Sequence, residues 1–136
     1  MKNGLPFTIL LVDDDEDDRS FIDSAFLEVG FAEEVKKFIN GKMLLHYLEQ
    51  TEEELLPKLI VLDNTLPELD ATDILHVLKS SSRYKHIPVI IFSSWITPLK
   101  RSQLISAGAY ECIKKGDSFH ELVSFALKLK NFSLKQ

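Results

Sequence analysis

Acidic side chains at the ends of two strand-like segments are the residues in this chain best suited to metal-dependent chemistry. Asp63 ends one apolar run, and Asp13 and Asp14 directly follow another. Unbroken apolar runs are typical of parallel strands that are buried on both faces. A carboxylate at the C-terminal end of such a strand lies at the edge where open α/β sheets place their sites. Two acid-ended strands therefore predict a group of carboxylates that holds a divalent cation.

The elements that must position these acids alternate regularly along the chain. Strand-like runs cover residues 8–12, 34–39, 59–63, 88–92 and 110–114. Helical patterns between and after them cover about 17–29, 43–48, 72–80, 97–108 and 118–130. A repeated strand–helix order implies a parallel sheet with right-handed crossovers and helices on both faces. The sequence therefore predicts an α/β fold of five strands and five helices.

Composition narrows the kind of protein and its environment. The chain has 136 residues, 45% of them hydrophobic and 27% charged, which predicts one globular domain over residues 1–136. The net charge of −5 argues against a nucleic-acid partner, because such proteins normally present a basic surface. Apolar runs are too short for a membrane span, and the N-terminus does not have the pattern of a signal peptide. We therefore expect no membrane partner and a cytoplasmic location.

With its motifs placed on these elements, the chain resembles a response-regulator receiver domain over about residues 7–130. Four features carry the likeness, in chain order and each at the end of its own strand. They are the acidic pair Asp13 and Asp14, Asp63 followed by Pro67, the hydroxyl residue Ser93, and Lys115. The resemblance implies a flavodoxin-like, doubly wound (βα)5 fold with the strand order 2-1-3-4-5.

The same resemblance implies a phosphorylation site with a bound metal ion. Asp63 would be the phosphoacceptor, and Mg²⁺ (or Mn²⁺) would be held by Asp13, Asp14, Asp63 and the backbone carbonyl of Thr65. In the implied strand order, strands one and three are neighbours about 4.8 Å apart. Their terminal carboxylates would then be close enough to share one ion.

Two further residues complete the implied site. Ser93 would donate a hydrogen bond to a phosphoryl oxygen, and Lys115 would reach Asp63 from the fifth strand. That strand lies two positions from the third, about 10 Å away, so only a long cationic side chain could span the gap. The neighbouring Lys114 should point to the opposite side of the strand.

Other polar residues receive a structural interpretation. We interpret the acids from Asp15 to Asp18 as a solvated first turn of a helix, where negative charge is favoured by the helix dipole. The four histidines show no spacing typical of metal ligands. The single cysteine, Cys112, excludes an internal disulfide.

The resemblance implies a single-domain response regulator rather than an enzyme that acts on other molecules. It would catalyse only its own phosphorylation and dephosphorylation, and we expect no output domain after the last helix. Its partners would be a histidine kinase or histidine phosphotransfer protein and a downstream protein target. A homodimer through the helix 4–strand 5–helix 5 face stays open. The segment 80–88 also resembles stand-alone receivers associated with phytochrome-type kinases.

Three alternatives remain at this point. A receiver-like scaffold that is not phosphorylated would keep the fold without the chemistry. An aspartate-nucleophile phosphohydrolase would need a second aspartate where this chain has Thr65. A flavodoxin-like cofactor binder would need a phosphate-binding loop after the first strand, where this chain has acids.

The chain departs from the family pattern near the proposed site. Gly116 stands where the family usually has proline, and Cys112 stands at the position of an aromatic switch residue. Signal transmission must therefore use groups other than an aromatic side chain at position 112. Trp95 follows Ser93 by two residues, and we hypothesise that its bulk slows attack by water on a phosphoryl group.

Overall fold

The strands form a parallel sheet whose carboxyl ends lie along one edge. The structure is a computed structural model that describes residues 7–136. Its strands are β1 (Ile9–Val12), β2 (Val35–Phe38), β3 (Leu59–Asp63), β4 (Val89–Ser93) and β5 (Glu111–Lys114). They pair in parallel in the order β2-β1-β3-β4-β5. The predicted fold class and strand order are therefore confirmed.

Helices connect successive strands and follow the last one. They are α1 (Glu16–Glu28), α2 (Gly41–Glu49), α3 (Ala71–Lys79), α4 (Pro98–Ser106) and α5 (Phe119–Leu134). Each helix follows a polar N-cap residue whose side chain accepts a hydrogen bond from a backbone amide of the first turn. These caps are Asp15, Asn40, Asp70, Thr97 and Ser118. Because caps satisfy amides that the helix itself leaves unpaired, the local sequence fixes where each helix begins.

Helices cover both faces of the sheet, which explains the unbroken apolar strands. Successive residues of a strand point to opposite faces. Leu10 and Val12 accordingly pack with α2, α3 and α4, whereas Ile9 and Leu11 pack with α1 and α5. All four side chains are fully buried. Within residues 7–136, none of the helices combines the length and apolar character needed to cross a membrane.

The last helix extends beyond its predicted end at Lys130 and finishes at Leu134. Tertiary contacts explain the difference. The ring of Phe132 lies 4.8 Å, centroid to centroid, from the ring of Tyr110. Ser133 is buried, and its hydroxyl donates to the carbonyl of Lys130 at 2.9 Å. The final turn therefore packs against the chain that leads into β5.

Candidate functional site

The carboxyl ends of β1 and β3 bring three acids together. Val12 of β1 lies opposite Leu62 of β3, so the residues that follow them, Asp13 and Asp63, emerge side by side. Carboxylate oxygens of Asp13, Asp14 and Asp63, one from each, all lie within 4.8 Å of one another. Asp13 and Asp63 are buried, whereas Asp14 is exposed. We call these three residues the acid cluster.

The acid cluster has the ligand chemistry of a divalent-cation site. Mg²⁺ prefers oxygen ligands, keeps several waters and binds through one or two carboxylates together with phosphate oxygens. Two buried carboxylates beside an exposed one offer such oxygens at a solvent-accessible edge of the sheet. The cluster therefore fits a hard divalent ion.

Both oxygens of the Asp63 carboxylate have hydrogen-bond donors. The backbone amide of Thr65 donates to Oδ1 at 3.1 Å, and its hydroxyl lies 3.4 Å from the same atom. The ammonium of Lys115 donates to Oδ2 at 3.2 Å. Thr65 thus contacts Asp63 through its own donors, while the role of its carbonyl as a metal ligand stays a prediction. These contacts fix the orientation of the Asp63 carboxylate.

Lys115 reaches the acid cluster from the end of β5. Its backbone amide donates to the carbonyl of Ser93 at 2.7 Å, which anchors the residue to β4. Its side chain crosses the ring of Phe92, with Nζ 4.7 Å from the ring centroid. The ammonium then lies 3.2 Å from Asp63 Oδ2 and 3.3 Å from Asp13 Oδ2. Lys114, by contrast, is exposed.

Asp18 is a part of this arrangement that sequence reasoning missed. It lies in the first turn of α1, and its Oδ2 is 2.8 Å from Lys115 Nζ. This contact is shorter than those of Lys115 with Asp63 and Asp13. The run from Asp15 to Asp18 gave no sign of it, because four consecutive acids are equally well explained as a solvated helix start.

Burial and charge shift the pKa values of two groups in the site. Burial, together with the negative charges of Asp63 and Asp18, raises the pKa of Asp13 to about 6, although a backbone hydrogen bond and Lys115 oppose the shift. Burial alone would lower the pKa of Lys115. The hydrogen bond with Asp18 and the charges of Asp63 and Asp13 outweigh it and raise that pKa above its usual range. The lysine is therefore held as a cation among carboxylates.

Ser93 lies at the same edge, but its hydroxyl is bonded within its own loop. Ser93 Oγ donates to the carbonyl of Trp95 at 2.7 Å and accepts the amide of Trp95 at 3.2 Å. Ser93 is buried, whereas the Trp95 side chain is 75% exposed. A phosphoryl group on Asp63 would have to draw the hydroxyl away from the Trp95 carbonyl.

The loop after Lys115 needs glycine for a steric reason. A Cβ placed on Gly116 would lie 2.3 Å from Cβ of Glu121 in the first turn of α5. Any larger residue, including the proline usual in the family, would force the two segments apart. Peptide bonds between residues 7 and 136 are all trans. Close packing against α5 therefore accounts for Gly116.

The family of the chain follows from comparison with known proteins. Residues 9–126 match the family described as the response regulator receiver domain, and the chain belongs to this family. Receiver domains are response regulators rather than enzymes of the usual kind, and they interact with histidine kinases or phosphotransfer proteins.

Individual relatives agree with this assignment. The probable methanogenesis regulatory protein FilR2 of Methanothrix harundinacea is 31% identical over 133 residues, which cover 95% of this chain and 84% of FilR2. The two-component response regulator ORR11 of Oryza sativa subsp. indica is 32% identical over 112 residues, or 82% of this chain and 73% of ORR11.

A solved structure gives the same result for the whole fold. The phosphorylated cyanobacterial phytochrome response regulator RcpA is similar with a TM-score of 0.81 and 27% identity. The similarity covers 95% of this chain and 94% of that one. The chain is thus similar in structure to a response regulator associated with phytochrome, as the segment 80–88 suggested.

Proposed function

We propose that this receiver domain accepts a phosphoryl group on Asp63 from a phosphohistidine of a histidine kinase or phosphotransfer protein. An oxygen of the Asp63 carboxylate forms the new P–O bond while the P–N bond to the donor imidazole breaks. The electron pair of that bond returns to the imidazole nitrogen. The surroundings of Asp63 support the proposal most directly. Its carboxylate lies beside those of Asp13 and Asp14 and 3.2 Å from the Lys115 ammonium.

Phosphoryl transfer depends mainly on positioning and on neutralising negative charge. We propose that Asp13, Asp14, Asp63 and the backbone carbonyl of Thr65 hold Mg²⁺, or Mn²⁺ in its place. When bound, the ion supplies charge neutralisation for the transferred group. Asp13 and Asp63 are buried and constrained by hydrogen bonds, so they need little rearrangement to serve as ligands.

Ser93 and Lys115 would hold the phosphoryl group after transfer. The Lys115 ammonium already contacts Asp63 and would keep a contact with the new phosphoryl oxygens. The Ser93 hydroxyl would exchange the Trp95 carbonyl for a phosphoryl oxygen. Contacts of Ser93 and Lys115 with phosphoryl oxygens would form only after transfer, so they would bias a two-state conformational equilibrium towards the conformation that makes them. The domain would catalyse only its own phosphorylation and dephosphorylation.

The signal would leave through the face formed by α4, β5 and α5. Leu99 and Ile105 of α4 and Tyr110 before β5 are exposed apolar side chains close to this face. A downstream protein target, or a second copy of the chain, would bind there with an affinity that phosphorylation changes. We further propose the cytoplasm as the location of this exchange. Light scattering with and without beryllofluoride, a phosphoryl analogue, distinguishes the homodimer from a monomer.

Intact-mass measurement after incubation with a small phosphoryl donor and Mg²⁺ tests the acceptor residue. Acetyl phosphate and phosphoramidate offer P–O and P–N donor bonds respectively. Wild type is expected to gain the mass of one phosphoryl group, and Asp63→Asn is expected to gain none. Asp17→Asn is a matched control because it removes an exposed carboxylate from nearby α1. Omission of Mg²⁺ or addition of chelator should suppress the gain.

A result in which neither a small donor nor a phosphorylated histidine phosphotransfer protein modifies wild type would contradict the proposal. The alternative would then be a receiver-like scaffold that is not phosphorylated. Equal modification of wild type and Asp63→Asn would show that another residue is the acceptor.

A further inference from the structure

The Lys115 ammonium is shared among three carboxylates that come from different parts of the chain. Its distances are 2.8 Å to Asp18 Oδ2, 3.2 Å to Asp63 Oδ2 and 3.3 Å to Asp13 Oδ2. Asp63 and Asp13 belong to the acid cluster, but Asp18 does not. The shortest contact therefore draws the ammonium towards α1, to one side of the oxygens that would bind the metal ion.

Local structure keeps Asp18 in this position. Its backbone amide donates to the side chain of Asp15, the N-cap of α1, at 3.0 Å. Its carboxylate is 40% exposed, whereas the Lys115 side chain is only 13% exposed. The neighbouring Asp17 is exposed and lies on the same turn. Position on the helix, rather than charge alone, thus places Asp18 against the lysine.

We propose that Asp18 is a positioning residue for phosphoryl transfer, which holds the Lys115 ammonium partly clear of Asp13 and Asp63 until a phosphoryl group takes it over. The inference rests on the proposed phosphorylation of Asp63. Before transfer, Asp18 limits competition between the ammonium and the divalent cation for the same two oxygens. After transfer, it competes with the phosphoryl group for the ammonium and adds a negative charge nearby.

Removing the Asp18 charge should therefore change two affinities in opposite directions. In Asp18→Asn, the ammonium would bind Asp13 and Asp63 more fully, and Mg²⁺ would bind more weakly. At saturating Mg²⁺, beryllofluoride would bind more tightly because the lysine is free to contact it. We expect changes of about two- to fivefold in each dissociation constant, the range for a partly exposed ion pair. If the substitution only disturbed the structure of the site, the binding of Mg²⁺ and of beryllofluoride would both become weaker.

Calorimetric titration of the full chain measures both constants, first with Mg²⁺ alone and then with beryllofluoride at saturating Mg²⁺. Asp17→Asn is the matched control, since it removes the same charge one residue away, and it should stay close to wild type. Asp18→Glu keeps the charge and should restore both constants towards wild type. Asp18→Ala and Asp18→Ser should, like Asp18→Asn, bind Mg²⁺ more weakly and beryllofluoride more tightly. The test needs only one of these three neutral variants to be folded, as judged by a melting temperature close to that of Asp17→Asn.

Each outcome has a defined meaning. Weaker Mg²⁺ binding with tighter beryllofluoride binding supports the inference. Constants equal to those of Asp17→Asn, or weaker binding of both ligands, overturn it while leaving phosphorylation of Asp63 intact. Wild type that neither binds beryllofluoride nor gains phosphoryl mass would overturn the proposed function, and this inference with it.

Discussion

At the scale of single residues, Asp13 ties the stability of the metal-free protein to pH. Its side chain is fully buried, and its pKa in the folded state is about 6, above its ordinary value of 3.8. A raised carboxyl pKa means that the folded state binds the proton more tightly than the unfolded state does. The resulting stabilisation is complete below about pH 4 and is lost as the pH rises through about 6.

Asp13→Asn should remove this pH dependence. In chelator at pH 7, we expect the variant to exceed wild type in free energy of unfolding by about 2 to 3 kcal/mol. The difference should shrink towards pH 4, where the wild-type carboxyl is protonated. Urea unfolding of both proteins across this range measures it, with Asp17→Asn as an exposed control. Parallel curves for wild type and Asp13→Asn would contradict the prediction.

Trp95 provides a second residue-level prediction, about the lifetime of the phosphorylated state. Its amide and carbonyl are both hydrogen-bonded to the Ser93 hydroxyl, so its backbone is held at the edge of the site. If its bulk shields a phosphoryl group from water, Trp95→Ala should shorten the phosphoryl lifetime, whereas Trp95→Phe should change it little. The decay of phosphoryl mass after donor removal measures the lifetime. A lifetime in Trp95→Ala that is unchanged or longer would refute the shielding role.

The residues at the strand ends could be predicted from the sequence, but Asp18 could not. Asp13 and Asp63 lie at the ends of recognisable apolar runs, so their position at one edge is dictated by the parallel sheet. Lys115 was assigned from the family resemblance, because β5 (Glu111–Lys114) carries charged residues and is not an apolar run. Asp18 lies in a run of acids on one helix turn. Which of them meets Lys115 depends on how α1 packs against α5 and the sheet, and the local sequence does not specify that packing.

At the scale of elements, the approach of α5 to the end of β5 should make Gly116 sensitive to substitution. A Cβ there would meet Cβ of Glu121 at 2.3 Å, a contact that rotation of the glutamate side chain cannot relieve. Gly116→Ala should therefore lower the free energy of unfolding by about 1 to 3 kcal/mol, as overpacking does. Urea unfolding measures the loss, and Asp117→Ala, an exposed position in the same loop, serves as control. Equal stability of the two variants would contradict this explanation.

Element boundaries show where local patterns lose their predictive power. The starts of α4 and α5 were well predicted because cap residues such as Thr97 and Ser118 act within one turn. The start of α2 was predicted two residues late, because Asn40 was interpreted as part of a turn and is the N-cap of the helix. The end of α5 was wrong by four residues, since its last turn is stabilised by Tyr110, which is distant in the sequence. Strand order likewise came from the family resemblance, because alternating strands and helices alone permit several parallel arrangements.

At the scale of the whole molecule, metal binding should appear as added stability of the folded domain. An ion that binds only the folded state stabilises it by about 2.7 kcal/mol at one hundred times its dissociation constant. Mg²⁺ in the millimolar range should raise the melting temperature of wild type above its value in chelator. Asp14→Ala, which removes the exposed member of the acid cluster, should show little or no rise. Identical melting of wild type in Mg²⁺ and in chelator would contradict the metal site.

The loop at Ser93 also gives the molecule a built-in optical reporter. Trp95 is the only tryptophan of the chain, and it is 75% exposed. Its backbone amide and carbonyl are both hydrogen-bonded to the Ser93 hydroxyl, which would turn towards a phosphoryl group. Its fluorescence should therefore follow the loop directly, without an attached dye. Stopped-flow mixing of the unlabelled protein with beryllofluoride could then time the rearrangement of this loop, with Ser93→Ala as the variant that uncouples the tryptophan from the site.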